Sequence, residues 1–192
     1  MFDINTDDNI LINRFNEGNE SAFNILVLKY QKKIYWLVRK MVLDHDIADE
    51  ITQEVFIKLY YSLKNFRGDS KFFTYIYKIG VNFTLNYLNK HKKFTLKHTD
   101  INEDILQKYD TDDDFTQNDE EEIKKNLLKE AIQQLPAQQK AVFNLRFYEN
   151  LNYNEISEIL NKSVGGLKAN YFHAVQKIES YIKIKAKALN MI

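Results

Sequence analysis

From Phe23 onward the apolar residues Leu26, Val27, Tyr30, Ile34, Leu37, Val38 and Met41 recur at steps of three and four, with polar residues between them. That spacing lines one side of a 3.6-residue helix and predicts an amphipathic helix from about Glu20 to Val42. A second helix is predicted from near Asp46 through "IADEITQEVFIKLYYSL". "NFRGDS" (Asn65–Ser70) breaks it, with Gly68 and Asp69 as turn residues and Ser70 placed to cap the next helix. That third helix, from Lys71 to about Lys90, buries Phe72, Ile76, Ile79, Phe83 and Tyr87 by the same periodicity.

The C-terminal part is patterned alike. The single proline, Pro136, opens a helix in "LPAQQKAVFNLRFYE", where a missing N–H costs little. Asn152 and Glu155 make an N-x-x-E capping box before "ISEIL". After "NKS" comes "VGGLKANYFHAV", whose Val164, Leu167, Tyr171, Ala174, Val175 and Ile178 share one side of a helical wheel. The opposite side carries Gly165, Ala169, Phe172, His173 and Gln176, flanked by Lys168 and Lys177. Helix, short turn, helix is helix-turn-helix spacing, in which the early residues of the second helix enter a DNA major groove. Small residues let a backbone approach closely, Lys168 suits a phosphate or a guanine edge, and Phe172 suits a thymine methyl. By spacing alone, such a hairpin equally packs on another protein element.

Composition narrows the class. Five Gly and one Pro in 192 residues argue against a turn-rich β sandwich and for helices joined by polar loops. The absence of Cys excludes a disulfide framework and thiolate metal sites. No apolar run approaches the roughly 20 residues of a bilayer span, and "MFDINTDDNI" is acidic, unlike a signal peptide. A cytoplasmic protein is the expectation.

The formal net charge of +0 conceals unlike parts. Residues 1–94 hold 14 Lys+Arg against 11 Asp+Glu, residues 95–122 hold 2 against 11, and residues 123–192 hold 11 against 5. Two mildly basic modules thus flank an acidic strip with no sustained apolar period, which reads as a solvated linker with a helical turn around Ile101–Leu106. Within it, "DTDDDF" lacks the turn glycine and distal glutamate of a calcium loop. The expected architecture is all-α, two small helical domains (1–94 and 123–192) joined by an acidic linker (95–122).

Two further surfaces stand out. Glu50, Gln53, Glu54 and Ile57, with Asp49 beside them, cluster away from part of the apolar stripe of the second helix. Such a patch either docks on a basic protein surface or is a solvated acidic face. Aromatics interleaved with Lys and Asn from Phe66 to Tyr87 suit unstacked bases on a basic surface, with one or two rings facing out and the rest in the core. The four His are scattered, and no H-E-x-x-H, G-x-S-x-G or glycine-rich phosphate loop occurs. No catalytic constellation, metal site or cofactor is expected.

Taken in order, these segments resemble the bacterial RNA polymerase sigma factors of the extracytoplasmic-function (ECF, group four) type. "DEITQEVFIKLY" is similar to sigma region 2.2, "FRGDSKFFTYIYKIGVNFTLNYL" to regions 2.3–2.4, and "LPAQQKAVFNLRFYENLNYNEISEILNKSVGGLKANYFHAVQKI" to region 4. The resemblance implies a promoter-specificity subunit with three faces. Asp49, Glu50, Gln53, Glu54 and Ile57 would dock on the β′ clamp helices of core RNA polymerase, whose β flap would receive region 4. Phe66, Arg67, Asp69, Ser70 and Lys71, with Lys78, Asn82 and Asn86, would melt and read the minus-ten element of promoter DNA, a base flipping into a pocket. Lys168, Ala169, Asn170, Phe172 and His173 would read the minus-thirty-five element. The family is usually held inactive by an anti-sigma factor, often membrane-anchored. Four positions depart from its pattern: Glu50 replaces a common Asp, Asn86 another, and Asn170 and His173 stand where Arg or Lys is common. An operator-binding regulator that uses only the helix-turn-helix is the alternative, as is a sigma-like protein that only sequesters a partner.

Overall fold

Short polar side chains mark where the helices begin. The computed structural model describes residues 3–97 and 119–188, with side chains over 3–91 and 122–188. Its elements are α1 (Asp8–Asn16), α2 (Glu20–Val42), α3 (His45–Ser62), a 3-10 turn at Leu63–Asn65, α4 (Phe72–Lys97), α5 (Asp119–Gln133), α6 (Ala137–Phe147), α7 (Tyr153–Leu160) and α8 (Val164–Ala188). Asp7, Asn19 and Asp44 accept from Asn9 N–H (2.9 Å), Ser21 N–H (3.1 Å) and Ile47 N–H (2.9 Å), satisfying donors that the first turns leave open. Leu43 ends α2 in the left-handed region at φ 67°, costing a leucine roughly 1–2 kcal/mol. The turn it makes lets Asp44 cap α3 at once.

α2 is the spine of the first module. Leu26, Ile34, Leu37, Val38 and Met41 on its inner side are fully buried, with Ala48, Val55 and Leu59 of α3 and Ile76 and Val81 of α4 in the same core. α1 is fastened to the middle of α2 by Asp8, which accepts from Lys29 Nζ and Tyr30 Oη at 2.5 Å each. Burial, then the Asp8 carboxylate, raises the Tyr30 phenol far above its ordinary value, so the phenol stays a donor. Phe15, Phe23 and Tyr60 close the other end, with centroids 5.1–5.3 Å apart. In the second module, α5, α6 and α8 enclose Ala131, Ile132, Leu135, Phe143, Ala174 and Ile178.

The two modules share buried surface. Leu145, Leu151, Ile156, Ile159 and Leu167 belong to the same apolar cluster as the α2 and α4 side chains, and α6 and α7 lie against α4 and the end of α2. Polar groups complete the seam. Lys140 Nζ donates to the Met41 carbonyl (3.5 Å) and Asn144 Nδ2 to the Lys40 carbonyl (3.4 Å), at the end of α2 where helix carbonyls lack partners. Lys40 Nζ stands 3.6 Å from Glu149 Oε1 and 4.4 Å from the Tyr148 ring centroid, and Tyr77 Oη donates to Glu149 Oε2 (2.8 Å).

Several expectations are corrected. The nine-residue α1 is not among the elements that the periodicity predicts. α4 continues to Lys97 and α5 starts at Asp119, so helix enters both ends of the expected linker 95–122. α5 opens one turn before its first apolar position, Ile123, where periodicity gives no signal. The expected turn at Ile101–Leu106 lies outside the described residues. α4 opens at Phe72, so Lys71 holds the boundary position assigned to Ser70, and Pro136 stands at the cap of α6, one residue outside it. The capping box of α7 forms as expected: Asn152 Oδ1 accepts from Glu155 N–H (3.1 Å) while Glu155 Oε2 accepts from Asn152 N–H (3.0 Å).

Lys140 carries a pH prediction. Burial of its ammonium lowers its pKa from 10.5 to about 8. Below pH 8 the amine is charged whether the protein is folded or not, so the cost of burying it is fully present. Between 8 and 10.5 the folded form releases the proton first, and the cost fades. Lys140→Met is therefore expected to raise stability at pH 7 by at most about 3 kcal/mol. Paired thermal melts should show that advantage shrinking steadily toward about pH 10.

Candidate nucleic-acid and polymerase interface

The helix-turn-helix is built by local bonds. α7 ends at Asn161 in the left-handed region (φ 51°), a conformation asparagine tolerates, and Ser157 Oγ ties the turn by donating to the Lys162 carbonyl (2.6 Å). Ser163 starts α8: its hydroxyl accepts from Gly166 N–H (3.3 Å) and its carbonyl from Leu167 N–H (3.0 Å). Leu167 and Ala174 are fully buried, which turns Gly165, Lys168, Ala169, Phe172, His173 and Gln176 outward. Phe172 is 58% exposed, a costly place for a phenyl ring with nothing to cover it. Lys168 Nζ lies 5.8 Å from the Tyr153 ring centroid, and the Arg146 guanidinium lies 5.6 Å from the same ring. Asn170 sits at the edge of this face, half-buried, with its amide donating to the Gly166 carbonyl (3.0 Å).

The second candidate surface joins the loop after α3 to α4. Gly68 has φ 76°, which the turn requires and most residues resist. Arg67, Asp69 and Lys71 are exposed, and Ser70 is half-buried. Along α4, Lys78, Asn82 and Asn86 face outward, and Asn89 and Lys90 prolong their strip. None of the rings from Phe66 to Tyr87 is exposed: Phe66 tilts onto Tyr75 (5.0 Å between centroids) and meets Phe72 edge-on (6.0 Å). The expectation that one or two rings face out is corrected, because the pairs cover each other. The outward strip of α4 is made of amides and amines. A cleft of about 510 Å³ opens between the loop and the start of α1, with Asp7 and Asn9 on one wall and Gly68, Ser70 and Lys71 on the other.

The third surface is a groove of about 690 Å³ between α2 and α3. Asp49, Glu50, Gln53, Glu54 and Ile57 are all exposed. Asp49, Gln53 and Ile57 line the groove, while Glu50 and Glu54 do not. Val27, Lys32 and Tyr35 of α2 form the facing wall, and Tyr35 Oη is 2.8 Å from His45 Nδ1. Sequence reasoning missed this α2 half. Periodicity put Val27 on the buried stripe and carried no sign that Gln31, Lys32 and Tyr35 share a wall with it.

Comparison with known proteins gives these surfaces a family. The family described as Sigma-70 region 2 matches residues 26–94, and that described as Sigma-70, region 4 matches residues 125–178. The ECF RNA polymerase sigma-E factor of Haemophilus influenzae is 36% identical over 187 residues, covering 92% of this chain and 95% of that one. The chain belongs to the ECF sigma factors. The sigma-E factor of Escherichia coli and the sigma-H factor of Pseudomonas aeruginosa are each 32% identical, over 183 and 184 residues, with 92% of this chain and 94% of theirs covered. Two solved structures share the fold. CnrH, in complex with the cytosolic domain of CnrY, aligns over 92% of this chain and 97% of its own at a TM-score of 0.66 and 18% identity. RpoE of Bartonella quintana, in complex with the anti-sigma factor NepR, aligns over 84% and 97% at 0.62 and 16%.

This sigma factor is thus a promoter-specificity subunit for RNA polymerase. Its region 2 match starts within α2 and leaves out α1, and its region 4 match stops partway along α8. Among the described residues no group of three or more His, Asp and Glu could hold a metal ion, and no helix is long and apolar enough to cross a membrane. Gly165 offers a test of what its face is for. A Cβ there would meet nothing within 4 Å, so the fold does not need the glycine. Gly165→Ala should stabilise the free protein by up to about 1 kcal/mol through helix propensity, read as a higher melting temperature.

Proposed function

We propose that the sigma factor works through three faces and performs no covalent chemistry. The α2–α3 groove, with Asp49, Glu50, Gln53, Glu54 and Ile57, docks on the β′ clamp helices of core polymerase, and region 4 rests on the β flap. The loop Phe66–Ser70, with Lys71, Lys78, Asn82 and Asn86 beside it, captures the opened minus-ten strand. The start of α8, with Lys168, Ala169, Phe172 and His173 facing out and Asn170 at the edge, enters the major groove of the minus-thirty-five element. The modules bearing these faces are 1–94 and 123–192, with 95–122 between them. The chain acts in the cytoplasm, where polymerase and chromosome are.

The observation that carries the reading is the outward face of α8. A small, cationic and aromatic surface stands on a helix whose opposite side is buried, in a chain of the sigma-70 family. Zero net charge supports reliance on the polymerase, because phosphate neutralisation supplies most of the non-specific affinity of a lone DNA-binding protein. The groove also suits an inhibitory partner: occupying Asp49, Gln53 and Ile57 would block polymerase docking. The likeness to a sigma factor solved with its anti-sigma factor supports such a partner.

Run-off transcription from a promoter library, with and without this protein on core polymerase, tests the proposal. Transcripts that depend on the protein and share two spaced motifs are expected. Specific DNA binding by the protein alone, without transcripts, would point to an operator-binding regulator. Lys168→Ala is expected to cost roughly 1–3 kcal/mol of upstream-element recognition. Gly165→Ala should weaken that element while stabilising the free chain, a combination that loss of fold cannot give. Ile57→Glu should leave stability within about 0.5 kcal/mol and weaken core-polymerase binding about tenfold or more in a pull-down titration.

A further inference from the structure

Two residues that line the α2–α3 groove from opposite walls are joined by a third outside it. Tyr35 stands on the α2 wall and Asp49 on the α3 wall. His45, the first residue of α3, lies against both: its Nδ1 is 2.8 Å from Tyr35 Oη and its Nε2 is 3.6 Å from Asp49 Oδ2. The Tyr35 ring meets the imidazole edge-on at 5.9 Å between centroids and the Trp36 ring at 5.3 Å, so its place is fixed from two sides. The left-handed Leu43 and the Asp44 cap bring His45 round to α2.

A neutral imidazole with its proton on Nε2 suits both neighbours. Nδ1 then accepts the Tyr35 hydroxyl proton, and Nε2–H faces the Asp49 carboxylate. A second proton changes both contacts. An imidazolium has no acceptor, so the Tyr35 bond must reverse: Nδ1–H donates, and the phenol hydrogen is released toward the groove. At the other nitrogen a full positive charge then stands 3.6 Å from Asp49, close enough to offset its negative one. Histidine is the side chain that makes this change within the physiological range of pH. The charged neighbours along the two helices are Lys32 and Arg39, one turn to either side of Tyr35, and Asp46 beside His45. Asp44 is held as the cap of α3, accepting from Ile47 N–H at 2.9 Å.

We propose that His45 is a positioning residue of the groove: it ties Tyr35 of α2 to Asp49 of α3, and its protonation weakens polymerase docking by taking the Asp49 charge out of the groove. The inference rests on the docking site proposed above. A carboxylate-and-amide surface that meets a basic partner loses complementarity when one carboxylate is paired within its own chain and a cation is set beside it. Acidification therefore lowers the share of core polymerase that this sigma factor holds. His45 and Asp49 are both exposed, so salt screens the effect.

The test is a titration of core-polymerase binding by the full-length chain at about pH 6 and about pH 8, in parallel for the parent, His45→Gln and His45→Lys. Glutamine keeps a hydrogen-bonding head at this site and cannot gain a charge, so titration of the polymerase itself cancels in the ratio of parent to variant. The parent should match His45→Gln at the higher pH and bind about two- to fivefold more weakly than it at the lower, the scale of an exposed ion pair. His45→Lys should bind more weakly than His45→Gln at both. A parent-to-glutamine ratio that stays level between the two pH values, or a lysine variant that binds as well as the glutamine one, would overturn the proposal. Nitrogen-15 NMR of the free chain, with His45 assigned by its loss in His45→Gln, reads the tie without polymerase. The Nε2–H tautomer is expected at the higher pH, and the Nδ1–H tautomer there would equally overturn it. Ile57→Glu controls for the docking site. If that variant binds core polymerase undiminished, the groove is not where polymerase docks, and the tautomer still decides whether His45 ties the walls.

Discussion

The end of α2 is the position on which the rest of the molecule depends. A helix leaves its last carbonyls without donors of its own, and here they are met from another module, by Lys140 and Asn144 of α6. The middle of the same helix anchors α1 through Lys29 and Tyr30, its side forms one wall of the groove with α3, and its inner stripe carries α4. One amphipathic helix therefore positions the α2–α3 groove, the loop beside α4 and the second module. Packing, more than helix propensity, holds a 23-residue element in register against four neighbours.

Function follows from what those helices leave outside. Each buries a stripe and turns a second, chemically distinct face outward: carboxylate and amide with Ile57 on α3, amide and amine on α4, small residues with Lys168 and Phe172 on α8. The role proposed for these faces is recognition, which depends on shape, hydrogen bonding and the rigidity of the helices beneath. The bonds that fix the starts of those helices are local, as in the Ser163 cap of α8 and the Asn152–Glu155 box of α7.

Much of this was legible in the sequence where the physics is local. The stripe from Phe23 to Met41 gave α2 its bounds, the N-x-x-E pattern gave α7, and the wheel of α8 gave its inward and outward sides. What escaped depended on tertiary context. α1 is too short and too rich in Asp and Asn for a periodic signal, and it is held by a bond to a residue 21 positions away. The rings from Phe66 to Tyr87 shield one another, which composition cannot foretell. Val27 was visible as part of the stripe, but its place beside a groove with Lys32 and Tyr35 required α3 to be set against α2. Lys140 and Asn144 carry no local sign of burial, because the helix end they serve belongs to another module.

The central claim is that the outward face of α8 reads promoter DNA for a chain that directs RNA polymerase. Phe172, 58% exposed on that face, addresses it most directly. Run-off transcription with Phe172→Ala on core polymerase, compared across promoters altered only in the upstream element, is the measurement. The account predicts that discrimination among those promoters falls while core binding and the melting temperature are unchanged. Undiminished discrimination would contradict it.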